Sequence, residues 1–379
     1  FFIGFFYCLL SYSDFIKADN HSYLNIDFTA SEKNEELSGG SGSVKARNKN
    51  AFSLPMKNIA KEKKIDFLIG NGLFKRMWIP FSLSQVSSDG LGPLFNAKSC
   101  QSCHIKDGRG HPPSANNLDE DAISMSLHLS IPPENSNEIN LLYALKSKAI
   151  PDPIYGSQLS DFSIDGVLSE GNIFIEYDYI PVIFNNGKVV TLSKPKYSII
   201  NTKYGKLHSD IRISARVAQP MIGLGLIESI DHKDILAKIK DSELDADKIS
   251  GKANYVWDYE EKKISLGLFG WKATQPSVRQ QAADALHNDM GLSTTLFIEG
   301  DNCTVNQTQC KDLPNGNTKR YNDVEVSDHQ LDLIEFYSTH LAVPERRNHN
   351  DPNVLEGKKI FFKSGCTSCH TPKFKTTEN

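Results

Sequence analysis

The spacing of hydrophobic and polar positions changes along the chain and separates helical from extended stretches. The glycines of Gly70-Asn71-Gly72 indicate a turn, and the stretch before it has the apolar spacing of a short helix. Helical spacing returns three times in the second half of the chain. The predicted helices are 59–69, 277–290, 328–341 and 353–362.

The stretch from about residue 160 to residue 275 contains runs of β-branched and aromatic residues without a helical period. Within it, Asn186-Gly187 separates an apolar arm ending at Phe184 from one that begins at Val189. An Asn-Gly pair favours a type I′ turn, because that turn needs a positive φ at both central residues. The pattern predicts a β-hairpin inside a β-containing insertion of about 160–275.

The N-terminal residues divide into an apolar and a polar stretch. Residues 1–10 are almost wholly apolar, a length typical of a signal-peptide core and well below the roughly 20 residues that span a bilayer. We expect a signal-peptide remnant over 1–20, although a buried strand or helix would have the same composition. Residues 21–52 are polar, contain Gly and Ser, and are expected to form a flexible tether. No other stretch is long and apolar enough to be a transmembrane helix.

Length and charge place few limits on function. With 379 residues the chain can form two domains, or one large domain with insertions. Its formal net charge is −4 and it contains no basic run, so we expect no nucleic-acid partner.

The seven cysteines are the most informative residues. Apart from Cys8 they form three close pairs, and two of these pairs are followed by histidine. The two motifs are Cys100-Gln-Ser-Cys103-His104 and Cys366-Thr-Ser-Cys369-His370. In such a motif each thiol can bond one vinyl group of a haem, and the adjacent histidine can bind the iron from the proximal side. The sequence therefore predicts two covalently bound c-type haems.

Paired cysteines also bind zinc or exchange disulfides. A zinc site would need four ligands from pairs that lie far apart in the sequence, and zinc gives no reason for the following histidines. A thioredoxin-like site needs a βαβ pattern, which neither motif has. The third pair, Cys303 and Cys310, lies in a polar loop with no neighbouring histidine. It is expected to form a disulfide in an oxidising compartment, the alternative being two unpaired thiols.

The residues around both motifs resemble one family. The segment Gly90–Cys100, the motif itself and Asp107–Gly110 are similar to the first haem segment of the bacterial di-haem oxidoreductases. These proteins are also called thiol oxidoreductases and are related to the di-haem cytochrome c peroxidases. The resemblance runs from about residue 60 to the end. Its other blocks are Tyr155–Leu159, Arg216–Glu228, Phe269–Pro276 with Asp289–Gly291, and Leu341–Arg347.

The resemblance implies a mainly α-helical fold with two cytochrome-c-like haem domains. The first would cover 53–325, enlarged by the β-containing insertion, and the second would cover 326–379. Members of the family continue with a further helical stretch after the second motif, so we expect this second domain to be incomplete here. The sixth ligand of the second haem would then lie in the part that is missing.

The resemblance also implies a periplasmic enzyme that reduces hydrogen peroxide or a related oxidant. His104 would be the proximal ligand of the haem that reacts with peroxide, and His370 would serve the haem that receives electrons. The electrons would come from a small redox protein or from a quinol-derived donor. The motifs alone do not separate this enzyme from a di-haem electron carrier without catalytic activity. Oxidation of a side chain on a partner protein is a third option that the related families leave open.

Five further residues are candidates for sites around the haems. Met221 and Met290 could bind iron on the distal side, although a methionine at helical spacing more often packs in a core. Glu228 follows an apolar run and could move a proton during peroxide cleavage, or could be a solvated carboxylate at a helix end. Arg109 and Arg216 could pair with haem propionates, because arginine makes bidentate contacts with carboxylates.

Overall fold

A computed structural model describes residues 26–82, 88–113, 124–239 and 249–377. The expected signal-peptide remnant, with Cys8, lies outside these residues, and so do the first residues of the predicted tether. In the described part of the chain, no helix combines the length and the apolar composition needed to cross a bilayer.

The chain folds into two compact units. The large unit comprises Ser41–Glu228 and Asn254–Pro344 and carries the first Cys-x-x-Cys-His motif. The small unit is built from three separate segments and carries the second motif. Its described residues lie within the ranges Phe1–Gly40, Ser229–Ala253 and Glu345–Asn379. The domain boundary predicted after residue 325 does not coincide with this division, because the helix that follows it belongs to the large unit.

Short helices and strands alternate along the described residues. The α-helices are α1 (Lys64–Lys75), α2 (Cys100–Cys103), α3 (Ser136–Tyr143), α4 (Leu224–Glu228), α5 (His232–Leu236), α6 (Val278–Met290), α7 (Thr308–Lys311), α8 (Asp328–Thr339) and α9 (Pro352–Lys363). The strands are β1 (Leu94–Phe95), β2 (Met125–Ser130), β3 (Phe162–Ser163), β4 (Asn172–Ile183), β5 (Val189–Ile200), β6 (Arg212–Val217), β7 (Tyr255–Asp258) and β8 (Lys263–Leu266).

The expectation of a mainly α-helical fold is wrong. Among the described residues, helix accounts for only 27% and strand for 19%, and they do not show two cytochrome-c-like domains. The strands described pair as two-stranded antiparallel sheets, in the order β1–β3, β2–β6, β4–β5 and β7–β8. Strand β2 alternates buried and half-buried residues, as a strand with one face on a core does. Because β1 and β2 precede residue 160, strands also occur outside the predicted insertion.

The predicted hairpin is confirmed. Strands β4 and β5 pair along their whole length, and Ile183 opposite Val189 closes the ladder. Between the strands, the Gly187 N–H donates to the Phe184 carbonyl at 2.8 Å, and only Gly187 has a positive φ, of 79°. A turn with one left-handed glycine at its end is a type I turn followed by a bulge. The prediction of a type I′ turn is therefore wrong, although the hairpin itself is confirmed.

A close contact between α1 and α8 organises the large unit. The turn predicted at Gly70–Gly72 is wrong, because these residues lie inside α1. A Cβ atom added to Gly70 would lie 2.2 Å from the Leu333 carbonyl oxygen of α8, so only glycine allows this approach. The packing buries Phe67 and Phe74 of α1 against Tyr337 of α8.

Ion pairs join the N-terminal segment of the small unit to α9. The Lys358 side chain is only 8% exposed, and its Nζ lies 3.0 Å from Glu32 Oε1 and 2.8 Å from Glu35 Oε2. Arg346 also pairs with Glu35. Part of the segment predicted to be a tether is therefore packed in the structure.

Candidate functional site

The first motif forms a single helical turn, α2, followed directly by His104. Ser99 precedes the turn with extended backbone angles, and its hydroxyl oxygen accepts a hydrogen bond from the Ser102 N–H at 3.2 Å. This contact caps the turn. The His104 N–H donates to the Cys100 carbonyl at 3.0 Å. Residues three apart share one face of a helix, so Cys100 and Cys103 lie on the same side of the turn, and His104 follows as its C-terminal cap.

The His104 ring is fixed by a distant part of the chain. Its Nδ1 lies 2.7 Å from the Gln219 carbonyl oxygen, which can only accept, so Nδ1 carries the proton and donates. Burial lowers the pKa of His104, and this hydrogen bond opposes the effect. A neutral imidazole protonated at Nδ1 has its free electron pair on Nε2, the arrangement that a metal ligand requires.

Aromatic and aliphatic side chains surround the motif. The ring centroid of Phe74 lies 6.2 Å from that of His104 and 5.3 Å from that of Tyr337. Phe67 and Leu341 complete this buried cluster, and Cys100 packs against it. The surroundings are therefore suited to an apolar, planar group.

Burial disfavours the thiolate form of the two cysteines in the first motif. Burial, reinforced by the nearby Asp289, raises the pKa of Cys100 to about 12 and also raises the pKa of Cys103. A cysteine active in disulfide exchange needs a lowered pKa, because the thiolate is the reactive form. The alternative of thiol–disulfide exchange is therefore disfavoured at this motif.

Both candidate methionines belong to apolar clusters that contact Cys100. The Met221 N–H donates to the Asp107 carbonyl at 2.9 Å, and its side chain packs against the cluster that contains Phe74 and Tyr337. Met290 is 2% exposed at the end of α6, in the cluster of α1, α6 and α8. These positions are compatible with core packing, and their role as distal ligands stays a prediction.

The two candidate arginines lie on the segments that meet at His104. Arg109 donates from Nη2 to the Gln219 side-chain oxygen at 3.2 Å. Arg216 lies on β6, and its Nε is buried without a hydrogen-bond partner among the described residues. A buried guanidinium N–H needs an acceptor, and a haem propionate would supply one. With the thiols and the His104 ring, this orphaned donor fits a c-type haem.

The second motif forms a different turn from the first and shares one backbone hydrogen bond with it. Gly365 has a left-handed φ of 75° and ends the segment from α9, and a single 3₁₀ turn follows at Cys366–Ser368. The His370 N–H donates to the Cys366 carbonyl at 3.0 Å, as in the first motif. The side chains of Cys369 and His370 are exposed, and the ring of Phe361 lies 5.8 Å from that of His370.

The structure bears on the other predicted uses of cysteine. Among the described residues, no group of three or more His, Cys, Asp or Glu side chains is arranged to hold a metal ion, so no zinc-type cluster is found there. Cys303 and Cys310 form a disulfide, as predicted.

Glu228 lies at a helix terminus. It ends α4, and its Oε1 accepts the Val278 N–H at 2.9 Å. Val278 is the first residue of α6, whose initial N–H groups have no partner within the helix. The structure thus gives Glu228 a contact that stabilises α6, and its role in proton transfer stays a prediction.

Replacing Glu228 with alanine should lower the free energy of unfolding by about 1 kcal/mol, because α6 loses an acceptor at its N-terminus. Urea-induced unfolding measures this change. Ser277→Ala removes the neighbouring cap of the same helix and should have a similar effect.

Peroxide turnover of the Glu228 variant tests the catalytic prediction, because losing a proton-transferring group slows a reaction by roughly 10²- to 10⁴-fold. An unchanged free energy of unfolding in the Glu228 variant would contradict the proposed stabilisation of α6.

Some residues of the site were not predicted from the sequence. The Gln219 carbonyl carries no sequence signal, because every residue has a backbone acceptor. Tyr337 was detectable in principle, since it lies at helical spacing with Leu333, Ile334 and Leu341 in a predicted helix. That spacing places it on the buried face, where the structure has it.

Comparisons with known proteins define the family. Neither curated proteins nor solved structures gave a significant match. A family model described as "Di-haem oxidoreductase, putative peroxidase" matches residues 33–379, which include both Cys-x-x-Cys-His motifs. The match covers most of the chain and implies an enzyme with two haems. The chain therefore belongs to the di-haem oxidoreductase family.

Proposed function

We propose that the chain is a c-type di-haem peroxidase of the bacterial periplasm. Cys100, Cys103 and His104 would hold one haem, and the second motif, Cys366–His370, would hold the other. The observation that carries the proposal is the 2.7 Å contact between His104 Nδ1 and the Gln219 carbonyl. A histidine so oriented has its Nε2 available for iron, next to two thiols on the same helical turn.

The residues of the first site would bind and orient the group. Each thiol would add across one vinyl group to form a thioether, and the cluster around Phe74 would exclude water from one side. Arg216 and Arg109 would pair with propionates. When bound, haem supplies an iron that accepts and donates single electrons and can react with peroxide.

The division of roles follows the family resemblance. The haem at His104 would react with hydrogen peroxide or a related oxidant, and the haem at His370 would receive electrons. A small redox protein or a quinol-derived donor would supply them. Glu228 is the candidate for moving a proton between the peroxide oxygens.

Export to the periplasm is supported by the Cys303–Cys310 disulfide. Disulfides persist in oxidising compartments and are rare in the cytosol of mesophiles. The apolar stretch at residues 1–10 has the composition of a signal-peptide core.

Reaction of the reduced, exported protein with hydrogen peroxide tests the proposal. We expect rapid reoxidation of one haem in a stopped-flow spectrometer, and a carbon monoxide complex at the same site. Acid–acetone should leave the colour on the protein, and the pyridine haemochrome should give two haems per chain. If neither haem binds carbon monoxide and peroxide oxidises both slowly, the chain is an electron carrier. If acid–acetone removes the colour, the attachment through cysteine is refuted.

A further inference from the structure

Asp107 is a buried residue beside the first motif, and all its polar atoms form hydrogen bonds. The side chain is 0% exposed. Its Oδ1 accepts the Tyr337 hydroxyl at 2.8 Å, and its Oδ2 accepts the Ser53 hydroxyl at 2.5 Å. Its N–H donates to the His104 carbonyl at 2.9 Å, and its carbonyl accepts the Met221 N–H at 2.9 Å. One residue thus connects four separate segments of the large unit.

Two of these segments meet at the His104 ring. One carries His104 itself, and the other carries Gln219, whose carbonyl accepts the Nδ1 proton. Met221 lies two residues after Gln219, so its bond to Asp107 holds the second segment beside the first. A shift of Asp107 would therefore change the distance and angle of the hydrogen bond from His104 to Gln219.

The backbone at Asp107 needs support from its surroundings. Lys106 and Asp107 have φ values of 54° and 60°, in the left-handed region that residues with a Cβ rarely occupy. Such a conformation persists where neighbouring structure fixes it. The hydroxyls of Tyr337 and Ser53 are the side-chain donors that fix it here.

We propose that Asp107, held by Tyr337 and Ser53, positions the Gln219 carbonyl to accept the His104 hydrogen bond and thereby lowers the reduction potential of the iron at the first motif. The inference rests on the proposed function, because it takes His104 as the iron ligand. A hydrogen bond from Nδ1 makes the imidazole more basic, and a more basic ligand favours oxidised iron. Asp107 does not touch the iron and acts through the two segments that it joins.

Tyr337→Phe is the sharpest test, because it removes the hydroxyl and keeps the ring that packs on Phe67 and Phe74. Tyr155→Phe is the matched control. Tyr155 is 1% exposed in the same unit, and its hydroxyl donates to the Gly205 carbonyl at 2.7 Å, outside the contacts of Asp107. Spectroelectrochemical titration of the holo-protein should resolve the potentials of both haems.

We expect Tyr337→Phe to raise one of the two potentials and leave the other unchanged. The expected shift is up to a tenfold change in the ratio of oxidised to reduced haem, which is about 59 mV for one electron. Ser53→Ala should shift the same haem in the same direction, and it provides the test if the tyrosine variant does not fold. Tyr155→Phe should move neither potential.

The outcomes separate this inference from the proposed function. The pyridine haemochrome of each variant is measured first and reports covalently bound haem. If wild-type protein binds no haem at the first motif, the proposed function fails and the inference fails with it. If haem is present and both Tyr337→Phe and Ser53→Ala leave both potentials unchanged, only the positioning role of Asp107 is overturned. If Tyr337→Phe shifts the reduction potential no more than Tyr155→Phe does, the positioning role of Asp107 is overturned as well.

Discussion

Replacing His104 with alanine is expected to abolish peroxide reduction by the holo-protein. The substitution removes the ring whose Nδ1 is anchored to Gln219 and whose Nε2 is available for iron. Loss of an outer-shell partner of a metal ligand typically costs roughly 10- to 100-fold in activity, and loss of the ligand itself should cost more. Peroxide-dependent oxidation of a reduced donor, followed spectrophotometrically, gives the turnover.

His329→Ala is the matched control for this experiment. His329 is an exposed histidine on α8, in the same unit as His104, and its replacement should leave turnover unchanged. The pyridine haemochrome distinguishes a lost ligand from a lost haem in the His104 variant. Turnover within tenfold of wild type, with full haem content, would contradict the assignment of His104 as the iron ligand.

Replacing Gly70 with alanine is expected to destabilise the large unit by about 3 kcal/mol, at the upper end of overpacking effects. In an exposed helix interior the same change stabilises by about 1 kcal/mol. Here the new Cβ would lie 2.2 Å from the Leu333 carbonyl oxygen and 2.8 Å from the Tyr337 Cβ. Because α1 and α8 would have to separate, Tyr337 would shift as well. Chemical unfolding monitored by circular dichroism measures the change.

Gly72→Ala provides a control within the same helix. A Cβ atom at Gly72 would have no neighbour within 4 Å, so α1 should simply gain helix propensity. We expect stabilisation by about 0.5 to 1 kcal/mol, opposite in sign to the effect at Gly70. Equal effects of the two substitutions would show that α1 and α8 do not approach as closely as described.

Elements with strong local signals could be predicted from the sequence. The helix predicted at 277–290 is α6, where Ser277 caps the start and Gly291 ends the helix with a φ of 66°. The start of α8 is fixed by Ser327, which forms a capping box with Gln330. The hairpin at β4 and β5 likewise follows from residues close together in sequence.

Features that depend on distant residues could not be predicted. The glycines at 70–72 have the composition of a turn, and only their contact with Leu333 explains why they lie inside a helix. Strand β2 is short, and its pairing with β6 joins residues such as Met125 and Val217. Because these partners cannot be identified from the sequence, the prediction of fold class rests on the resemblance to a helical family, and it is wrong.

The same limit applies to the candidate site. The two Cys-x-x-Cys-His motifs are local patterns, and the helical turn of the first follows from Ser99 and the motif itself. The acceptor for His104 lies 115 residues away, and the Tyr337 donor to Asp107 lies 230 residues away. Such contacts are set by the packing of whole elements, and their residue types give no local indication of them.

The small unit has a consequence for the order of folding. Lys358 meets Glu32 and Glu35 across 326 and 323 residues of sequence, so these contacts can form only after residue 358 has been synthesised. Closing so long a loop lowers the conformational entropy of the chain. The contacts that compensate for this loss form only after the two segments have met. The large unit, whose segments lie between these ends, can fold earlier during synthesis. Proteolytic cuts near residue 35 and near residue 358 should therefore unfold the same unit, although more than 300 residues of sequence separate them.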